Sequence, residues 1–381
     1  MKINNPFVVA GKIPHELFCD RKKESQLLTR AVTNGNNVVL VSARRMGKTG
    51  LIQYCFEKPE IKDYYATFYI DILQTSSLKE FTYLFGKAVF QRLASTSQRR
   101  LKQFAAILHS ISGSFGFDPF NGTPTFNLQL GEISNPALTL DEIFRFLADS
   151  DTPSIIAIDE FQQISNYQEK NVEAMLRSYI QQLPNANFVF AGSERHLLQQ
   201  MFSDSARPFF NSASFMELNP IQLPDYTEFA TDLFQKNDKR LEPEVVATVY
   251  NLFEGNTFYL QKTFNIAYSK TGKDQTCDAA TVDESVNEIL ASFDTIYREM
   301  LSNVAESQKQ LLIAISQEGN AEGITSARFI KKYSLASASS VQAAARKLLA
   351  LGFIVRNNNT YRIQDPLLRI WLLRTYTSIP I

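Results

Sequence analysis

The stretch from Asn37 to Tyr54 constrains this chain more than any other. A short apolar run, Val38 to Val41, is followed by Ser42-Ala43-Arg44-Arg45-Met46-Gly47-Lys48-Thr49-Gly50, and then by Leu51, Ile52, Tyr54, Cys55 and Phe56 at helical spacing. This order reads as strand, loop, helix. From Ser42 to Thr49 the residues match the phosphate-loop pattern G-x-x-x-x-G-K-[ST] at every fixed position but the first, where serine replaces glycine. The pattern has physical reasons. Glycine at 47 lets the backbone curl so that successive amides and the next helix N-terminus face one anion, Lys48 adds a point charge, and Thr49 adds a hydroxyl suited to Mg²⁺. If Ser42 must take a left-handed conformation, its Cβ costs about 1–2 kcal/mol. The competing reading is a Lys-Thr helix start after a buried strand, and the strand-to-helix context argues against it.

A second motif is independent of the first. Ser154-Ile155-Ile156-Ala157-Ile158 is a continuous apolar run, as expected of a central parallel strand, and it ends in Asp159-Glu160. Adjacent carboxylates at a strand end supply what a phosphate loop lacks: Asp159 to hold Mg²⁺ through water, and Glu160 to orient or deprotonate an attacking water.

The Arg44-Arg45-x-Gly47-Lys48-Thr49 loop, the Ile158-Asp159-Glu160-Phe161-Gln162 strand end and the tail Asp365-Pro366-Leu367-Leu368-Arg369 resemble the predominantly archaeal P-loop ATPase family. That family belongs to the signal-transduction ATPases with numerous domains and is related to the AAA+ class. The resemblance spans nearly the whole chain. It implies an α/β P-loop NTPase core with a parallel sheet, an all-α lid and a C-terminal winged helix-turn-helix. It also implies binding of ATP or ADP with Mg²⁺, and slow, switch-like hydrolysis.

The same resemblance suggests roles for further residues, each beside a plainer one. Phe18-x-x-Arg21-x-x-Glu24 matches a lead-in that related ATPases place near the adenine, which would bring Asp20 and Arg21 to the nucleotide; Asp20 could equally cap a helix, with Arg21 on a solvated face. Ser193, after the apolar run Phe188 to Ala191, holds the place of a residue sensing the γ-phosphate, or else caps the helix near Arg195. Arg207 stands where AAA+ relatives carry an arginine finger, although an isolated arginine more often forms a surface salt bridge. The family's Gly-x-Pro in the lid is replaced here by Gly255-Asn256-Thr257, so that nucleotide contact is not carried over. Asp71 closes a second strand, Ala66 to Asp71, at a tip where ligands gather, with capping as the simpler role.

At 381 residues the chain is too long for one core. Its segments suggest an ATPase core over 1–222, a helical lid over 223–304 and a winged helix-turn-helix over 305–381. Phe115 and Phe117, then Phe126, Leu128 and Leu130, alternate around Asn121-Gly122, which predicts a β-hairpin inserted at about 111–133. Three cysteines and three histidines are scattered, which argues against a disulfide framework or a zinc site. No apolar run nears the ~20 residues of a membrane span and no signal pattern opens the chain, so a cytoplasmic protein is expected.

Charge is balanced overall, but Ser307 onward carries ten basic and three acidic residues, +7 against −7 for the rest. In a winged helix this modest balance is compatible with DNA, with Arg328, Lys331, Lys332, Arg346, Lys347, Arg356 and Arg362 available to phosphates and Ser337, Ser339, Ser340 and Gln342 near bases. A protein partner or a homo-oligomer is the other expectation for such a module. Two functional classes follow: a slow ATPase switch, or a non-catalytic DNA- or protein-binding regulator that holds nucleotide as a structural ligand. A helicase reading has no further motifs behind it.

Overall fold

The computed structural model describes residues 5–108, 115–117, 124–126 and 133–377. The chain divides into two compact units, one running from Lys12 to Asn219 and the other combining the N-terminal residues to Gly11 with Pro220 onward.

The first unit is built on a five-stranded parallel sheet of β1 (Val38–Val41), β2 (Ala66–Asp71), β5 (Ser154–Asp159), β6 (Ala186–Gly192) and β7 (Ser214–Glu217), in the order β2-β5-β6-β1-β7. Strands β1 and β5 are buried along their whole length, as their unbroken apolar runs require when helices cover both faces. The two-residue period of a strand sends alternate side chains to different cores. Val39, Val41, Phe68, Ile70, Ile156, Ile158, Phe188 and Phe190 face one side. Val38, Leu40, Ile155, Ala157, Val189 and Ala191 meet Leu28, Val32, Leu51 and Ile52 on the other. That second layer is the helix Lys22–Thr33 together with the phosphate-loop helix Lys48–Phe56, so packing on the sheet sets where the loop points.

The helical stretch after β2 is two helices, Leu78–Thr96 and Gln98–Ile107, broken at Ser97, whose extended backbone and hydroxyl cap the second by accepting from Arg100 N. The expected insertion is present as an antiparallel pair, β3 (Phe115–Phe117) with β4 (Pro124–Phe126), Phe115 opposite Phe126. Asn121-Gly122 lies outside the described residues, as does His109.

The second unit begins with four longer helices, Leu223–Gln235, Pro243–Leu252, Thr257–Lys270 and Ala279–Ser302, with a short parallel pairing of β8 (Arg240–Leu241) and β9 (Thr276–Cys277). The N-terminal segment is part of it. Phe7 is fully buried among Phe229, Phe234, Phe264 and Tyr268, while Asn5 donates to the Asn265 carbonyl and Asn265 returns a bond to the Phe7 carbonyl.

Three further helices, Glu306–Glu318, Ala327–Lys332 and Ala338–Ala350, and a three-stranded sheet, β10 (Ala321–Glu322), β12 (Thr360–Ile363) and β11 (Ile354–Asn357) in that order, make the winged helix-turn-helix expected of the tail. Asn358, left-handed at φ 54°, turns the wing. Asp365 fastens this module to the helices before it: its carboxylate accepts from Tyr259 Oη at 2.6 Å and Tyr297 Oη at 3.3 Å, and caps the final helix through Leu367 N. Tyr259→Phe is expected to destabilise this unit by about 1.5–3 kcal/mol, the range for a hydrogen bond to a charged group, read as a lower thermal midpoint. An unchanged midpoint would show that the contact holds nothing.

Candidate functional site

The two sequence motifs meet at the C-terminal end of the sheet. Thr49 Oγ1 donates to Asp159 Oδ2 at 2.9 Å, although β6 lies between β5, which ends in Asp159, and β1, which leads into the loop and helix of Thr49. Lys48 Nζ is 3.9 Å from Glu160 Oε1. Lys48 and Asp159 are only 6% and 4% exposed, so both charges are largely withdrawn from solvent and depend on nearby partners. Burial lowers the Lys48 pKa, and the carboxylates of Glu160 and Asp159 oppose that shift.

The loop differs in one respect from what its first residue suggested. Ser42 does not adopt positive φ, so the strain anticipated there does not arise; its hydroxyl donates to the Ala43 carbonyl at 2.8 Å. The left-handed turns fall on Arg45, at φ 65°, and Gly47, at φ 90°. Gly47 is the N-cap of the following helix, and its carbonyl accepts from Leu51 N. Ala43, Arg44, Arg45 and Gly47 are exposed, Met46 is buried, and Gly50 lies on the packed first turn, close to Ile13 and Phe18.

Glu160 is left-handed at φ 55°, and its carboxylate is closely held. Its Oε2 accepts from Ser193 N at 3.1 Å, Ser193 Oγ at 2.8 Å and Gln162 Nε2 at 2.5 Å. Ser193 therefore engages the carboxylate directly and does not cap the next helix, whose N-cap is Glu194. A Cβ at Gly192 would stand 2.0 Å from Gln162 Oε1, so any larger residue there would displace the side chain that holds Glu160.

Two participants escaped the sequence reading. Tyr69, on β2, donates to Asp159 Oδ2 at 2.7 Å and lies 3.3 Å from Thr49 Oγ1; burial, then the Asp159 charge, raise its pKa. Gln162 is 2% exposed and fixes Glu160. That Thr67, Tyr69 and Asp71 share one face of their strand was available from its alternation, but nothing in sequence says which strands are neighbours.

The remaining expectations are redistributed. Asp20, at φ 46°, is not the N-cap; Arg21 is, also left-handed, with no side-chain cap. Nor is Arg21 on a solvated face: it is 3% exposed and bonded to Glu24, the Asn219 carbonyl and the Met46 carbonyl. Arg207 is paired with Glu173 and lies 3.4 Å from Ser165 Oγ, so as a finger it would first have to leave that carboxylate. Asp71 accepts from Leu73 N in a turn, and burial raises its pKa.

Among the described residues no three His, Cys, Asp or Glu side chains converge as a metal cage. The Thr49 hydroxyl beside the Asp159 carboxylate nevertheless suits a hard cation that completes its shell with water and phosphate oxygens. A cavity of about 290 Å³ lined by Lys62, Arg92, Arg100 and Ser150 opens at the opposite, N-terminal end of β2 and β5 and plays no part in this chemistry.

Comparison with known proteins agrees with this geometry. The family model described as "ATPase domain predominantly from Archaea" matches residues 18–263, and one described as "Probable winged helix domain" matches residues 295–374. The chain belongs to this archaeal-type ATPase family. No curated protein matches it in sequence. Among solved structures, the Walker-type ATPase PABY2304 of Pyrococcus abyssi superposes with a TM-score of 0.68 at 19% identity, over 96% of this chain and 99% of that one. The ORC2 protein of Aeropyrum pernix, in ADPNP–ADP complexes, gives 0.64 at 12% identity over 98% and 97%. The ORC1 protein of Aeropyrum pernix in complex with DNA gives 0.52 at 13% identity over 98% and 97%. At these identities the likeness is one of fold: a P-loop ATPase core followed by a winged helix. No helix among the described residues is long and apolar enough to cross a membrane.

Proposed function

We propose that this ATPase-family protein binds ATP and ADP with Mg²⁺, hydrolyses ATP slowly to ADP and phosphate, and works as a nucleotide-controlled switch in the cytoplasm with output through its winged helix. The observation that carries this reading is the convergence of Lys48, Thr49, Asp159 and Glu160 at one end of the sheet. In it, the amides from Ala43 to Gly50 cradle phosphates, Lys48 neutralises the outer ones, and Thr49 and Asp159 hold the cation. Mg²⁺, when bound, would neutralise charge on the β- and γ-phosphates. Glu160 then orients a water whose oxygen bonds to the γ-phosphorus as the bridging oxygen leaves with ADP.

In this reading Ser193 and Gln162 hold the Glu160 carboxylate by Oε2, and Oε1, with Lys48 Nζ at 3.9 Å, is left to align the water. The same held carboxylate favours a second reading, a DNA- or protein-binding regulator with nucleotide as a fixed ligand. The domains proposed for the switch are the core over 1–222, apart from residues 1–11, which belong with the second unit, the lid over 223–304 and the winged helix over 305–381. DNA is the favoured partner of the last: Arg328, Lys331, Arg346 and Lys347 are exposed on it, and the ORC1 relative was solved with DNA. Lys332 and Arg362 are paired with Glu318 and Glu254, and the Ser337 hydroxyl caps its own helix, so these contribute less. A protein partner or further copies of the chain would be needed if Arg207 is to act in trans.

The test is thermal shift of the full chain with ATP, ADP and GTP, with and without Mg²⁺, beside mass spectrometry of any co-purifying nucleotide. Adenine nucleotides are expected to raise the midpoint most, and no shift with any of them would end the reading. Tyr69→Phe is expected to weaken the Mg²⁺-dependent part of ADP affinity about tenfold, as loss of a group that orients a metal-side carboxylate does, and to leave affinity in EDTA unchanged. Equal losses with and without Mg²⁺ would assign Tyr69 to packing alone.

A further inference from the structure

We propose that Arg21 is a positioning residue that aims the phosphate loop and ties it to the point where the chain leaves the ATPase unit. Its guanidinium is almost fully buried, and its two terminal nitrogens are divided between two distant main-chain positions. Nη2 donates to the Met46 carbonyl at 3.2 Å, and Nη1 donates to the Asn219 carbonyl and to Glu24 Oε1 at 2.9 Å.

Each of those carbonyls sits at a decisive place. The Met46 carbonyl and the Gly47 amide belong to one planar trans peptide, in which C=O and N–H point in opposite directions. A carbonyl drawn inward to Arg21 therefore turns the Gly47 N–H away from it, into the loop that receives the anion. Gly47 itself, at φ 90°, has no side chain to hold that peptide in place, so the orientation must be supplied from outside. Asn219 is the last residue of the ATPase unit, and Pro220 is the first of the returning chain in the other. One rigid fork with its donors fixed relative to one another thus joins the loop to the exit. Arg21 holds a left-handed backbone as it reaches both, a conformation that is unfavourable for a non-glycine residue and persists only where its surroundings impose it.

Two consequences follow. Arg21 raises nucleotide affinity without touching the ligand, by preparing the loop. It also makes loop occupancy felt at Asn219, since whatever stiffens the Met46–Gly47 peptide stiffens its partner across the guanidinium, and the coupling is reciprocal.

The inference rests on nucleotide binding at the phosphate loop, so the wild-type full chain is measured first. If it binds no ADP, the proposed function fails before this question arises. Given binding, Arg21→Asn, which tolerates the left-handed backbone but cannot span the two carbonyls, is compared by calorimetry and by amide hydrogen exchange. The expected results are an ADP Kd raised about tenfold, in line with loss of a charged hydrogen-bond donor, and a change in exchange pattern at saturating ADP. In the wild type, ADP slows exchange both in residues 43–50 and in residues 214–222. In Arg21→Asn the first protection persists and the second is lost. Protection of 214–222 that survives in the variant, or a Kd that does not move, would overturn the proposal. If Arg21→Asn does not fold, Arg21→Lys, which keeps the charge but reaches one carbonyl at a time, is read by the same two criteria.

Discussion

Lys48→Ala is expected to remove nucleotide binding while leaving the fold intact. The ammonium is buried at the mouth of a helix N-terminus, with Glu160 Oε1 at 3.9 Å and Asp159 close enough to oppose its desolvation. That position is costly for a charge without a phosphate to answer, because burial already lowers its pKa. Removing it costs little stability, since Glu160 keeps its bonds to Ser193 and Gln162. The loss falls on the ligand: polyphosphate would meet the loop amides and the helix end, but also two nearby carboxylates no longer screened by a cation. Affinity for ADP or ATP with Mg²⁺ should fall at least a hundredfold, about 3 kcal/mol, with a thermal midpoint of the apo-protein within a few degrees of wild type. Calorimetry that finds the two affinities within a factor of three would place the nucleotide somewhere other than this loop.

Glu160→Gln should separate binding from turnover. The substitution keeps the shape of the side chain and an oxygen able to accept from Ser193, so the loop and its cation ligands, Thr49 and Asp159, are undisturbed and nucleotide affinity should stay within about threefold. What is lost is a negative group that can align and deprotonate water, a contribution of about 10²–10⁴ in rate. Single-turnover phosphate release is the measurement, made on both proteins alone, with DNA present and at concentrations that favour self-association. A hundredfold or greater drop identifies Glu160 as the group acting on water. Equal and negligible release in every condition would instead favour the non-catalytic regulator, in which the carboxylate serves only to hold Ser193 and Gln162 in place.

What could be read in advance, and what could not, divides along a physical line. The apolar runs Val38–Val41 and Ser154–Asp159, the Gly47-Lys48-Thr49 turn and the Asp159-Glu160 pair are local statements: each is a few adjacent residues whose spacing dictates a strand, a curl or a helix start whatever surrounds them. The same holds for the wing, where polar Asn357 to Asn359 between two apolar alternations leaves little choice but a tight turn. These features located half of the site and most of the architecture.

Side-chain partnerships were decided only by tertiary structure. That Tyr69 reaches Asp159 depends on β2 lying next to β5, and that Glu160 rests on Ser193 depends on β6 lying on the other side. Where the backbone bends was also a tertiary matter. Besides the turn at Gly47, the loop takes a left-handed one at Arg45 and spares Ser42, and Arg21 takes another while its guanidinium reaches carbonyls 25 and 198 residues away. The reason is range: hydrophobic periodicity and turn chemistry act between neighbours in the chain, whereas strand order and the burial of a charge are fixed by which distant segments pack together, and that packing selects among conformations that local preferences leave within about 1–2 kcal/mol of one another.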